Sequence, residues 1–231
     1  MVQESGNIVG ILSLAFGLGL MHALDADHIM AVSGLSSLRG SYRDTLRFCL
    51  RWALGHGLVL MLVGAAVMGL GMAIPADLSH YAEQLVGLVL ILIGLYVMWD
   101  LLRRRAHFHF HAHEGLPAHA HWHRHAPHQD SQPHRHQHGA VMVGMLHGTA
   151  GSAPLLALLP LSAQSSPLVG LSYLLIFGAG VLAAMLVFGG ALSGLFRYVT
   201  SWGTRAVRLL RATVALGSIG FGTHLLYASL G

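Results

Sequence analysis

The heptapeptide HALDADH at 22–28 places two histidines and two aspartates inside an otherwise apolar stretch. If that stretch crosses a membrane, each ionisable side chain costs about 2.5–3.5 kcal/mol on insertion scales, so four of them need compensation. On a regular helix His22, Asp25 and His28 share one face, and two imidazoles with a carboxylate form a partial ligand shell for a divalent first-row metal. Asp27 points elsewhere, and we expect it to join the shell if the helix unwinds, or to orient an imidazole from outside it.

The same four residues allow two other interpretations, a hydrogen-bonded structural cluster and a His–Asp pair that relays protons without a metal. Two more histidines, His56 in LGHG and His147 in LHGT, are candidates for additional ligands or gates. A single histidine on an apolar helix more often serves only in packing, so their candidacy depends on how close their helices lie to the heptapeptide. His80 and His224 are weaker candidates.

The composition indicates the elements that must position these residues. The chain has 231 residues, of which 54% are hydrophobic and 10% charged, which is typical of a membrane protein. A spanning helix needs about 20 predominantly apolar residues. We therefore predict an all-α polytopic membrane protein with six transmembrane helices, at about 8–36, 52–74, 84–102, 140–160, 168–196 and 209–230.

All thirteen basic residues are arginines, and they occupy alternate connections between the six predicted helices. By the positive-inside rule these connections face the cytoplasm, and both termini face outward. The absence of lysine excludes a P-loop lysine and most basic tracts that bind nucleic acid, so we expect neither ATP hydrolysis nor a nucleic-acid partner. The arginines are Arg39, Arg43, Arg47, Arg51, Arg103, Arg104, Arg105, Arg124, Arg135, Arg197, Arg205, Arg208 and Arg211.

The two halves of the chain resemble each other weakly. The segment GLMHALDADHIM, from Gly19, can be laid on GMLHGTAGSAPL, from Gly144, which superposes His22 on His147. Further along, LGHGLVLMLVGA resembles FGAGVLAAMLVFGG. Three helices in each half would orient the halves oppositely, as in the inverted repeats of many secondary transporters. We therefore predict a 3+3 inverted repeat, with three-helix units at 1–102 and 140–231 joined by a connection at 103–139.

The connection at 103–139 contains twelve of the eighteen histidines, mostly at alternate positions. Its biased composition predicts a disordered segment, cytoplasmic by the arginine argument. Dense imidazole would bind borderline metals with little selectivity, either to receive incoming ions or to collect them for export, although a passive pH-responsive linker is an alternative. These histidines are His107, His109, His111, His113, His119, His121, His123, His125, His128, His134, His136 and His138.

HALDADHI resembles the HX4DH signature of the nickel/cobalt transporter family, with His22, Asp27 and His28 at the motif positions. LGHG at 54–57 resembles that family's second helix motif. The resemblance implies a secondary permease that selects Ni2+ or Co2+, with the first motif as the main recognition element. Six helices instead of eight, and HGTAGSAP at 147–154 in place of an aspartate-containing motif, make the chain similar to the shorter, urease-accessory-type branch.

That resemblance implies a multi-pass protein of a prokaryotic inner or plasma membrane. Its expected partners are the lipid bilayer, the metal ion and a cytoplasmic metallochaperone of urease or hydrogenase maturation. We expect uptake of Ni2+ or Co2+, with Zn2+ as a further candidate, and neither a resident cofactor nor an enzymatic activity. Proton-coupled export and a membrane-tethered chaperone or sensor remain alternatives, whereas a metalloenzyme fits poorly because the chain has no HExxH motif.

Overall fold

A computed structural model of the chain describes residues 2–39, 41–70, 76–103, 138–149 and 167–229. Within these ranges the backbone is helical, with short turns and no strand. The seven helices are α1 (Val2–His22), α2 (Ala26–Ser36), α3 (Tyr42–Leu70), α4 (Ala76–Arg103), α5 (His138–Thr149), α6 (Pro167–Ser201) and α7 (Thr204–Ala228).

Four helices, α3, α4, α6 and α7, are each long and apolar enough to cross a membrane. α1 and α2 meet the same test together, as a pair bent by 54°. The described residues therefore contain four to five candidate spans and are helical apart from short turns, and the chain is a multi-pass membrane protein. The fourth predicted span, 140–160, overlaps α5, but its part beyond Thr149 lies outside the described residues.

The first predicted span was expected to be one helix, and this was wrong. The helix ends at His22, and α2 begins at Ala26 after a turn. Asp25 occupies the N-cap position of α2 in an extended conformation (φ −61°, ψ 149°), and Asp27 lies in the first helical turn. Aspartate is favoured at both places because its negative charge complements the positive end of the helix dipole, although the Asp25 carboxylate makes no capping hydrogen bond and accepts instead from His22.

The predicted boundaries of the second and sixth spans were also displaced. α3 begins at Tyr42 and not near residue 52, so Arg43, Arg47 and Arg51 lie on its first turns. α7 likewise begins at Thr204 and carries three arginines on its first turns. Hydropathy marks only the apolar part of a helix, whereas arginine side chains allow the helix itself to extend into the interface. The arginines still lie at the ends predicted for them.

α1 crosses α6 at two glycines that bring the backbones into contact. A Cβ atom on Gly19 would collide with the carbonyl oxygen of Phe177, and one on Gly180 would collide with that of Phe16. Small residues permit such close approach between helices in lipid. This crossing fixes the depth of the C-terminal end of α1, where the heptapeptide begins.

α3 crosses α5 in the same way. A Cβ atom on Gly144 would collide with the carbonyl oxygen of Trp52, and one on Gly55 would collide with that of Val141. Each of these four residues lies 125 positions from its counterpart in the α1–α6 crossing, as 19 and 144 or 52 and 177 illustrate. The two crossings are therefore built alike from the two halves of the chain.

α4 and α7 pack against each other, and the histidines that they carry, His80 and His224, are the weaker metal candidates. Gly87 and Gly222 face each other at their crossing, where an added Cβ on either would press on the backbone of the other. Arg211 Nη2 donates to Asp100 Oδ2 at 2.6 Å near one end of the pair. The α4–α7 pair is thus a support separate from the crossings that carry the histidines.

α2 lies between this support and the rest of the protein. Ser218 of α7 donates to the carbonyl oxygen of Met30 at 3.4 Å, and Gly34 lies against Ile93 of α4. His28 of the same helix is buried, with 1% of its surface exposed. One helix therefore packs on α4 and α7 and also carries a histidine into the interior.

Candidate metal site

Four buried histidines from four helices form one cluster. His22 ends α1, His28 lies on α2, His56 on α3 and His147 on α5. The ring centroids are 4.7 Å apart for His22 and His28, 5.4 Å for His28 and His56, and 5.2 Å for His28 and His147. All four residues are at most 9% exposed. The fold thus brings together the histidines that the sequence singled out from both halves.

Three of these residues have the spacing of a metal site. One ring nitrogen from each of His22, His28 and His56 lies within 4.8 Å of the others. Two nitrogens bound to one tetrahedral ion at about 2.1 Å are roughly 3.4 Å apart. Side-chain rotations that move each ring by about 1 Å would bring the three nitrogens into a shared coordination sphere.

Hydrogen bonds fix the orientation of three of the rings. Nδ1 of His22 donates to Asp25 Oδ2 at 2.7 Å, and Nδ1 of His28 donates to Asp27 Oδ1 at 3.2 Å. Nδ1 of His147 donates to the carbonyl oxygen of Val143 at 2.9 Å. A proton on Nδ1 leaves the lone pair on Nε2, and this second-sphere arrangement is typical of histidines that bind metals.

The remaining ring nitrogens have no hydrogen-bond partner within the described ranges. These are Nε2 of His22, His28 and His147, and both nitrogens of His56. A buried donor or acceptor without a partner costs about 1–3 kcal/mol, so several in one place favour a compensating ligand. Imidazole nitrogen suits nickel, cobalt, zinc and copper, whereas calcium and magnesium prefer oxygen.

The two aspartates form the more accessible side of the cluster. The Asp25 side chain is 53% exposed and that of Asp27 is 22% exposed. Asp27 also approaches the second half of the chain, with its Oδ2 4.0 Å from Nε2 of His147. Two carboxylates beside neutral imidazoles give a formal charge of −2, which matches a divalent cation.

The break between α1 and α2 changes the role expected of Asp27. A regular helix would place Asp27 away from the two heptapeptide histidines, whereas an interrupted helix was expected to let it join the site or orient an imidazole. The turn at 23–25 starts a new helix, so that Asp27 contacts His28 and approaches His147 while Asp25 remains beside His22. Both carboxylates therefore reach imidazoles.

Two aromatic residues beside the cluster were not predicted. Trp52 is stacked on His28 at 6.0 Å between centroids and lies 4.8 Å from His147. The ring of Phe177 lies 5.6 Å from that of His22. The repeat could have identified them, because they are 125 positions apart, as His22 and His147 are.

The other predicted residues lie elsewhere. His80 and His224 are exposed, and neither is part of the cluster. The histidines of the connection from His107 to His136 lie outside the described residues. His138 is the first residue of α5, but its side chain also lies outside what the structure describes.

Comparison with known proteins bears on this site. The family described as "Cytochrome C biogenesis protein transmembrane region" matches residues 15–222. The chain is 28% identical to the urease accessory protein UreH of Bacillus sp. strain TB-90 over 97% of its own length and 94% of that protein. It is 34% identical to the high-affinity nickel transport protein of Cupriavidus necator over 83 residues, which cover 35% of the chain and 24% of that protein. No solved structure matches the chain.

Both relatives agree with the resemblance that the heptapeptide indicated, and the prediction of that branch is confirmed. By the match over residues 15–222, the chain belongs to the family of the cytochrome C biogenesis protein transmembrane region, and it is similar in sequence to UreH and to a nickel transport protein.

Proposed function

We propose that the protein is a secondary transporter of divalent transition-metal ions, which carries Ni2+ into the cytoplasm and accepts Co2+ as a second substrate. The observation that carries this proposal is the cluster of four buried imidazoles with unpartnered ring nitrogens, at a helix break in a membrane-spanning segment. The names of the two relatives, a urease accessory protein and a nickel transport protein, support the choice of nickel.

His22, His28 and His56 are the proposed primary ligands, because their nitrogens lie closest together. His147 is the proposed fourth ligand, reached through small ring movements. Asp25 and Asp27 hold the imidazole tautomers and form the entrance to the cluster. The histidines of 103–139 form a separate, unselective binding segment on the cytoplasmic side.

The proposed architecture is two three-helix repeats, 1–102 and 140–231, in opposite orientations. The two glycine crossings support it, because an inverted repeat requires α1–α6 and α3–α5 to be equivalent contacts. The distribution of arginines supports a cytoplasmic location for 103–139 and outward-facing termini. The histidine cluster then lies at the interface of the repeats, where transporters of this architecture bind their substrates.

The membrane potential favours the proposed direction. Moving one charge through 100 mV is worth about 2.3 kcal/mol, so a divalent ion entering a negative interior gains roughly twice that. Uptake therefore needs no ATP. Export would have to overcome the same free energy, and exchange for protons is the natural coupling because imidazoles and carboxylates lose protons when they bind metal.

The test is metal flux into proteoliposomes that contain the protein in one orientation. Ni2+, Co2+, Zn2+ and Mn2+ are compared while the internal pH is recorded. We expect saturable Ni2+ entry that accelerates with an interior-negative potential and is lost in His28→Ala. His224→Ala, an exposed histidine outside the cluster, is the matched control and should transport normally. Equal flux in His28→Ala and the control would refute the assignment of the cluster.

A chaperone or sensor that binds nickel in 103–139 and never moves it is the main alternative. Deleting residues 106–138 distinguishes the two, because a transporter retains flux through the membrane helices whereas a chaperone loses its function. The family description names cytochrome c biogenesis, but the buried cluster of nitrogen ligands favours the function named by the two relatives.

A further inference from the structure

Aromatic rings lie at the two ends of the histidine cluster. Phe177 contacts His22, whereas Trp52 contacts His28 and His147. Trp52 is 0% exposed and Phe177 is 3% exposed. Each end of the cluster is therefore covered by a buried aromatic side chain, whereas the aspartates lie along its more exposed side.

A second aromatic residue stands one helical turn beyond each of these rings. Phe48 packs edge-on against Trp52, with 5.4 Å between centroids. Tyr173, one turn before Phe177 on α6, is 0% exposed. The positions 48 and 173 are again 125 apart, so each half of the chain supplies one aromatic pair.

The two pairs lie on opposite sides of the cluster. Tyr42 and Cys49, on the first turns of α3, contact Gly190 and Gly189, in the second half of α6, so these two helices run antiparallel. Trp52 precedes His56 by one turn, toward the beginning of α3. Phe177 lies toward the beginning of α6. Because α3 and α6 are antiparallel, the beginning of α6 is at the opposite membrane face.

Trp52 and Phe177 also lie equally far from the starts of their helices. Trp52 lies ten residues after Tyr42, where α3 begins, and Phe177 lies ten residues after Pro167, where α6 begins. Ten residues of helix correspond to about 15 Å, so each ring lies the same distance along its own helix, between the cluster and the start of that helix.

We propose that Trp52 and Phe177 are the two gates of the ion route, with Phe177 closing the cluster toward the outside and Trp52 closing it toward the cytoplasm. This inference rests on the proposed transport function and on the arginine-based orientation. In the structure both rings are buried beside the cluster, one toward each face. Apolar constrictions exclude water and ions, and a side-chain rotation on one side opens that side alone.

The test measures from which side the cluster can be reached, without requiring transport. Cys49, the single cysteine of the chain, is replaced by alanine, and Ala23→Cys adds a thiol next to His22, at a position only 1% exposed. A membrane-impermeant methanethiosulfonate reagent is then added outside or inside oriented proteoliposomes. We expect Phe177→Ala to raise the labelling rate at least 10-fold from outside only, and Trp52→Ala to do so from inside only.

Leu54→Ala and Leu175→Ala are the matched controls, because both leucines are 59% exposed and lie on the same two helices. Their labelling rates should equal that of the background protein. If either aromatic substitution leaves labelling at the control level, or raises it equally from both sides, the gate assignment is overturned. Substitution of a merely structural residue would not produce an effect confined to one side.

Folding is checked by a monodisperse elution profile and unchanged helical circular dichroism. If Trp52→Ala fails that check, Trp52→Phe takes its place. We then expect a smaller increase in the labelling rate, about 3-fold and from inside only. An unchanged labelling rate would refute the gate. Because labelling is independent of flux, side-specific labelling without nickel transport would overturn the proposed function while leaving the gates standing. Nickel transport without side-specific labelling would overturn the gates while leaving the proposed function standing.

Discussion

His22 and His147 occupy equivalent places in the two halves of the chain but are held differently. Each follows a glycine crossing by three residues, at 19 and 144. Nδ1 of His22 donates to the carboxylate of Asp25, whereas Nδ1 of His147 donates to the neutral carbonyl of Val143. Packing in the two halves is therefore alike, whereas the electrostatics of their histidines differ.

This difference shows that the acidic groups of the site belong to the first half of the chain. Both carboxylates and two of the histidines come from the helix break in the first half, whereas the second half supplies one histidine without an acidic partner of its own. A carboxylate raises the basicity of an imidazole ligand more than a carbonyl does. We therefore expect the first half to determine metal affinity and the second to complete the coordination.

The largest effect is expected from His22→Ala. It removes one of the three nitrogens that lie within 4.8 Å of one another, and we expect Ni2+ uptake into proteoliposomes to fall by about 100-fold or more. The protein should remain in the membrane at normal amounts. Uptake within a few-fold of the parent chain, at matched expression, would show that the first half does not dominate.

Asp25→Asn tests the carboxylate alone, because the amide preserves its size. Loss of a charged second-sphere partner typically reduces metal affinity 10- to 100-fold, and we expect a rise in the KM for Ni2+ of that order. Asp44→Asn, which changes a carboxylate on the first turn of α3, is the control. A KM unchanged from the control would mean that Asp25 orients His22 without affecting metal affinity.

His147→Ala should have a smaller effect than either change in the first half. His147 lies outside the group of three close nitrogens, so we expect a loss of uptake of about 10-fold. Initial rates over a range of Ni2+ concentrations separate an effect on KM from one on kcat. A loss as large as that of His22→Ala would make the two halves equal in chemistry as well as in packing.

The smallest difference is expected between Gly19→Ala and Gly144→Ala. Each new Cβ would meet a backbone carbonyl that has little room to shift, and we expect each to lower the free energy of unfolding by about 1–3 kcal/mol. Gly57→Ala and Gly178→Ala, where nothing lies within 4 Å, are the controls. Destabilisation of only one variant in denaturant titrations would contradict the equivalence of the crossings.

Much of the site could be predicted from residue types and spacing. The cost of several ionisable residues in one apolar segment identified His22 and His28, and helix order with repeat symmetry added His56 and His147 as candidates, before any contact was known. The aspartates were harder, because their roles depend on a turn that periodicity does not reveal. Asp25 as an N-cap residue and Asp27 in a first turn were the local signals for that turn.

The fold class followed from hydropathy, because apolar segments of this length leave few alternatives to helices in a membrane. Helix boundaries did not follow, since the basic first turns of α3 and α7 are polar in sequence and helical in structure. Trp52 and Phe177 escaped detection because aromatic residues on apolar helices are common. Only their equivalent positions beside histidines distinguish them.

The exposure of the ligands decreases inward, from the half-exposed carboxylate of Asp25, through Asp27, to fully enclosed imidazoles. An arriving cation would exchange its hydration water for oxygen donors first and for nitrogen donors second. Magnesium and calcium, which are abundant and favour oxygen, would occupy the outer carboxylates but gain nothing from the next step. Discrimination between hard and borderline cations would then depend on the order in which ligands are exchanged as well as on the final affinity for the imidazoles. Magnesium and calcium would compete at the outer carboxylates without being carried through.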